Sequence, residues 1–130
     1  MNDYKPDYIK YRLAKANEAF ADAKLLAENK SWNPYINRLY YSCYYVVWAL
    51  LLQKDISTHT HAGLKTQFNL HFIKNNIVEK DFGRLFSDLM DWRQKGDYGD
   101  MFDFTQESVE PLLIPVEQFL KRVTELIHSH

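Results

Sequence analysis

Turn and cross-link chemistry is scarce in this chain, which has one cysteine, four glycines and four prolines among 130 residues. A lone cysteine, Cys43, cannot close a disulfide within the chain. It stands inside an apolar run, which reads as a buried, unreactive thiol in a reducing, cytoplasmic compartment. So little glycine and proline leaves few hairpin turns and argues against an all-β fold. Charge of one sign is also missing. Sixteen basic residues stand against 17 acidic ones, a formal net charge of −1. A bulk nucleic-acid binder is usually clearly basic, although a local basic cleft is compatible with this balance. The longest nearly unbroken apolar run, Leu39 to Leu52, falls short of the ~20 residues that span a bilayer. A buried core helix is therefore expected, and a membrane partner is not. Met1 to Lys10 is polar and lacks the pattern of a signal peptide. There is no Gly-rich phosphate loop, no C-x-x-C and no G-x-S-x-G elbow. No histidine pair has the helical spacing of a metal site, and Asp97, Asp100 and Asp103 lack the glycine and closing glutamate of a calcium loop. Neither a metal nor a cofactor is expected.

Aromatic residues are what the chain has in excess: 15% of it, as nine tyrosines, eight phenylalanines and three tryptophans. Its length fits one domain over residues 1–130, large enough for a core without staples. Apolar residues recur at helical spacing. Ile9, Leu13, Ala16, Phe20, Ala23 and Ala27 form one face of a helix expected from about Asp7 to Lys30, and its alanines permit a close neighbour. Asn33-Pro34 reads as the cap and first residue of a second helix running to about Gln53. From Leu39 onward that helix is apolar nearly all round, which marks it as the central element. A third helix is expected from His61 to about Lys74. A fourth, from about Glu79 to Lys95, carries Phe82, Leu85, Phe86, Leu89 and Met90 as its stripe. Thr105 or Ser108 caps the last helix, in which Pro115 is expected to remove a backbone hydrogen bond and cause a bend. The predicted fold class is all-α, an up-and-down antiparallel bundle of four to five helices.

Two polar features interrupt the apolar pattern. Arg93 continues the stripe of Phe86 and Met90, and a charge there must find a partner or a cleft. Asp97, one helical turn on, is placed to pair with it; a structural ion pair and a ligand-holding arginine are both open. Asn37 and Arg38 open the second helix and share neighbouring faces with Tyr41, Tyr44 and Tyr45, whose hydroxyls need partners when buried. They form a satisfied polar belt, a pocket wall, or both.

These same residues carry a family resemblance. Asn37-Arg38-Leu39-Tyr40-Tyr41-Ser42-Cys43-Tyr44 resembles the NRAYYAxF signature of small stand-alone HEPN-domain proteins. Thr60-His61-Ala62-Gly63, followed by Phe68, resembles their THxG…F segment. Arg93-Gln94-Lys95-Gly96-Asp97-Tyr98 resembles their RxxxDY motif. The three stand in register across about Ala14 to Ile127. The resemblance implies a prokaryotic helical-bundle protein that forms a homodimer. It also implies a nucleotide or RNA ligand, and a nucleotidyltransferase as partner protein in a toxin–antitoxin system. The corresponding ligand-binding residues are Arg93, Asp97, Tyr98, Asn37, Arg38 and Tyr41. Catalytic members of that family are metal-independent ribonucleases in which a histidine follows the arginine after four to six residues. Here that window holds Tyr98, Gly99 and Asp100, so the ribonuclease motif is absent. The expectation is a binding module rather than an enzyme. The alternative is a ribonuclease that uses Arg93 with His61 as a displaced base.

Overall fold

The computed structural model describes residues 4–129; Met1 to Asp3, at the head of the polar start, and His130 lie outside the described residues. Helix α1 is Lys5–Glu28 and α2 is Trp32–Gln53. Helix α3 begins as His61–Phe68 and continues through a wider π-type turn, Asn69–Ile73; α4 is Lys80–Tyr98. The last helix, α5, is broken over 106–128 into a short turn Gln106–Val109, a tight 3₁₀ stretch Glu110–Leu112 and a main segment Leu113–His128. No strand occurs among the described residues, and the all-α bundle is as expected. None of the described helices is long and apolar enough to cross a membrane.

Only residues 29–31 join α1 to α2, which makes them antiparallel neighbours. Ala16, Ala19 and Ala23 are buried on α1 and let the two backbones approach closely. Helix α2 is the most buried element, with Tyr35, Ile36, Leu39, Tyr40, Cys43, Val46, Val47 and Leu50 all inside. Across from it, the rings of Phe68, Phe86 and Phe119 meet at centroid distances of 5.8 to 5.9 Å. Each ring so buried contributes roughly 1.5–3 kcal/mol, and truncating one to alanine costs roughly 3–5 kcal/mol.

Few glycines does not mean few helix stops. Lys30, Asp55 and Asn76 take left-handed backbone angles, φ 56°, 60° and 61°. Each closes a helix with the same paired bonds. After α1, Ser31 N–H reaches the Leu26 carbonyl at 2.9 Å and Lys30 N–H reaches Ala27 at 3.0 Å. The pattern is the one glycine usually serves; Asp55 and Asn76 are among the side chains that adopt it most readily, and Lys30 holds it at a cost of roughly 1–2 kcal/mol.

Three expectations need correction, each for a tertiary reason. Asn33 does not cap α2: the helix already starts at Trp32 with Ser31 as the cap. Pro34 still lies in the first turn, where a backbone N–H has no helical partner to lose. The Asn33 side chain is instead drawn to the end of α4. Its Nδ2 donates to the carbonyls of Gly96 at 3.2 Å and Phe102 at 2.8 Å, and its Oδ1 accepts from Phe104 N–H at 2.9 Å. With the loop so fastened, α4 runs past Lys95 to Tyr98. Gly96 permits this closure, because a Cβ there would stand 2.8 Å from Phe104 Cε2. Lastly, the break in α5 falls at the 3₁₀ stretch before Pro115. Pro115 then sits in the first turn of Leu113–His128 and removes no hydrogen bond.

Candidate functional site

Three helix segments meet at one spot: the first half of α2, the start of α3 and the last turns of α4. The extra length of α4 is what makes Asp97 helical and places it one turn beyond Arg93. At α3, Thr60 Oγ1 accepts from Gly63 N–H at 2.8 Å and caps the helix. A Cβ on Gly63 would stand 2.8 Å from Thr58 Oγ1 and 2.9 Å from Thr60 Oγ1. The T-H-x-G spacing therefore fixes the first turn of α3 and, with it, His61.

Arg93 is largely covered, its side chain only 12% exposed. Its guanidinium carbon lies 5.1 Å from the centre of the Tyr40 ring and 5.6 Å from that of Tyr41. Asp97 Oδ2 is 3.8 Å from Arg93 Nη1, an ion-pair distance too long for a hydrogen bond. The guanidinium makes no hydrogen bond among the described residues, and its Nε is buried without a partner. Asn37 Nδ2, by contrast, donates to the same Asp97 oxygen at 2.9 Å. Arg38 Nε donates to Asn37 Oδ1 at 2.9 Å, and the Arg38 guanidinium lies 5.2 Å from the centre of the Tyr41 ring. Two arginines and one carboxylate leave the cluster net positive. Aromatic faces hold the cations in place without using their donors.

His61 belongs to the same cluster. Its Nδ1 is 2.8 Å from the Tyr40 hydroxyl. Its ring stacks on Tyr44 at 4.6 Å and on Tyr40 at 5.8 Å, and meets the Tyr41 ring edge-on at 5.8 Å. Burial, and then the nearby Arg93 charge, hold the imidazole below its ordinary pKa. The Tyr40 phenol is pushed up by burial, against the opposing pull of Arg93, and keeps its proton. Which of the two groups donates decides what remains. If Tyr40 donates to Nδ1, Nε2 carries the ring proton; if Nδ1–H donates to Tyr40, Nε2 is a free base.

The structure thus brings together Arg93, Asp97, Asn37, Arg38 and Tyr41, and adds His61. Tyr98 is not brought in. It is 75% exposed at the end of α4 and makes no hydrogen bond or ring contact with the cluster. Tyr40 is the residue that sequence reasoning passed over. It is fully buried and looks like core, yet it touches His61, Tyr41 and Arg93. Its adjacency to Tyr41 in the N-R-x-Y-Y run was the available signal. No group of three His, Cys, Asp or Glu side chains suited to a metal ion occurs among the described residues.

The family model described as the HEPN domain matches residues 9–126. A UPF0332 protein of Thermotoga maritima is 37% identical over 129 residues, which cover 99% of this chain and 97% of its own length. A Methanocaldococcus jannaschii protein named a "putative toxin" is 31% identical over 112 residues, 86% of this chain and 83% of its own length. A second protein of that organism with the same description is 28% identical over 117 residues, 90% of this chain and 80% of its own length.

Proposed function

This chain belongs to the HEPN-domain family, and on that premise we propose that it is a binding module for a nucleotide or an RNA end. In this reading it acts as a homodimer and pairs with a nucleotidyltransferase; a place in a toxin–antitoxin system is supported by two relatives named "putative toxin". The observation that carries the ligand is Arg93, a covered guanidinium with no hydrogen bond and one buried, unpartnered nitrogen among the described residues. Planar, fixed donors of this kind suit phosphate oxygens. Arg38 adds a second positive charge, Tyr41 offers a ring for a base, and Asp97 accepts from a ribose hydroxyl. Calorimetric titration with adenosine monophosphate and a short oligoadenylate tests this. Wild type binds and Arg93→Ala binds at least about tenfold more weakly, as expected from losing a charge-assisted hydrogen bond. Equal affinities of the two proteins for both ligands contradict the reading.

A second reading is favoured by the position of His61 against the same Tyr40 ring as Arg93. A depressed pKa keeps its imidazole neutral at pH 7, the state of a base. Nε2 would take the proton of a ribose 2′-hydroxyl. The 2′-oxygen would then form its bond to the adjacent phosphorus as the bond to the 5′-oxygen breaks. That leaving oxygen recovers the proton from the imidazolium, and Arg93 steadies the phosphoryl charge. An RNA cleavage assay in chelator decides it. Activity lost in both Arg93→Ala and His61→Ala supports the ribonuclease, and no cleavage by wild type ends it.

A further inference from the structure

Charge is not spread evenly in this chain. Residues 5–15 carry Lys5, Lys10, Arg12 and Lys15 against Asp7, a local net of +3, while the whole chain is −1, so the remainder is −4. On the same stretch, Tyr8 and Tyr11 leave 52% and 59% of their surface exposed. They line a groove of ≈ 470 Å³ with Asp7, Arg12 and Trp48. The Arg12 guanidinium lies 3.6 Å above the Trp48 ring and is fixed there by Nη1, which donates to the Trp48 carbonyl at 3.3 Å. Held flat on one ring, a guanidinium presents a plane on which a base can stack.

We propose that the Tyr8–Tyr11–Arg12–Trp48 groove is a second binding site, one that takes an unpaired base and its adjoining phosphate from a single-stranded nucleic acid. Exposed rings that alternate with cations are the surface such a strand needs, since every base has a face to stack and every link has a charge to meet. The groove also continues the Arg93 cluster. Trp48 leans on Tyr44 at 5.6 Å and Tyr45 at 6.2 Å, and both of these meet Tyr41. From Arg38 to Trp48 the aromatic surface runs ~15 Å along α2, so one strand can reach both sites. A second copy of this chain fits the groove poorly. A twofold contact would set the Arg12 guanidinium, already stacked on Trp48, against that of the other copy.

The site stands apart from the Arg93 reading, and its failure is separable from that one. Binding of adenosine monophosphate reports on Arg93. Anisotropy of fluorescein-labelled oligoadenylate, as RNA and as DNA, measured in the Arg93→Ala background, reports on the groove. Both strands bind, because stacking and phosphate contact do not use the 2′-hydroxyl. The exposed pair Tyr8→Ala/Tyr11→Ala weakens oligoadenylate binding roughly 5- to 150-fold per stacked base lost and leaves the monophosphate affinity unchanged. Arg12→Lys, which keeps the charge and loses the plane, weakens it too. Lys15→Gln, at a side chain whose Nζ lies 5.7 Å from the centre of the Tyr11 ring, lowers the salt dependence by about 0.7 per phosphate contact, and Asp7→Asn tightens binding. Unchanged oligoadenylate affinity in the tyrosine pair overturns the proposal. So does absence of binding by wild type, or loss that only accompanies dissociation of a dimer in sedimentation.

Discussion

Each end of α4 holds an arginine against a carboxylate, and only one of the two pairs is complete. At the first end, Arg122 of α5 donates from Nε to Glu79 Oε1 at 3.3 Å and from Nη2 to the Ile77 carbonyl at 2.8 Å. That side chain is 34% exposed, so water can serve its remaining donors. At the last end Arg93 is 12% exposed, stands 3.8 Å from Asp97 and makes no hydrogen bond among the described residues. The deeper arginine is the worse satisfied, the reverse of what burial demands. An arginine that served only to close a helix would rest on its carboxylate as Arg122 does. Arg93 is held from its faces by Tyr40 and Tyr41, while Asn37 occupies the carboxylate it would have used. Its guanidinium is left without a hydrogen-bond acceptor among the described residues.

Substitutions can break this comparison, and the largest effect is on binding. Arg93→Ala lowers affinity for adenosine monophosphate at least about tenfold, while Arg122→Ala leaves it unchanged in the same titration. If the two variants weaken binding alike, the difference between the ends has no functional meaning. Stability gives the next largest effect. Arg93→Met replaces an unsatisfied guanidinium by an apolar chain of similar length, and urea unfolding shows a stability unchanged or raised by ~1 kcal/mol. A loss above ~2 kcal/mol would mean that Arg93 is held by bonds after all.

The pH dependence sharpens the comparison further. His61 is depressed from its ordinary value of 6.5 by burial and then by Arg93. The unfolded chain therefore takes up a proton first. Stability falls as pH drops from about 6.5 through the depressed value and is unaffected above that range. In urea titrations across this range, His61→Gln flattens the fall, and Arg93→Met narrows it by removing the second cause. Arg122→Ala gives the smallest effect, a loss of at most ~1 kcal/mol that shrinks with added salt.

Much of the bundle was legible because burial imposes a period on the sequence. Ala16, Phe20 and Ala23 of α1, and Phe86, Leu89 and Met90 of α4, are buried where the spacing put them. Asn33 was not legible, since a capping asparagine and one that fastens a distant loop look alike until the acceptors at Gly96 and Phe102 are in place. The end of α4 was misjudged for the same reason: Phe104 closes over Gly96 from outside the helix. Within the site, the stripe through Phe86 and Met90 exposed Arg93 as an anomaly, and Asn37, Arg38 and Tyr41 came from motif and spacing together. Tyr40 stayed hidden because a tyrosine buried in the core and one buried against Arg93 and His61 look alike in sequence. Tyr98 was drawn in by its motif, yet its place at the helix end turns it outward.

The most direct test of the central claim follows the Nε–H of Arg93 by nitrogen-edited NMR, with the signal assigned by its loss in Arg93→Lys. On titration with adenosine monophosphate, that resonance shifts as a phosphate oxygen takes up the guanidinium, and the Nε–H of Arg122 stays where it was. An Arg93 signal that does not move, or one that moves no more than that of Arg122, contradicts the account.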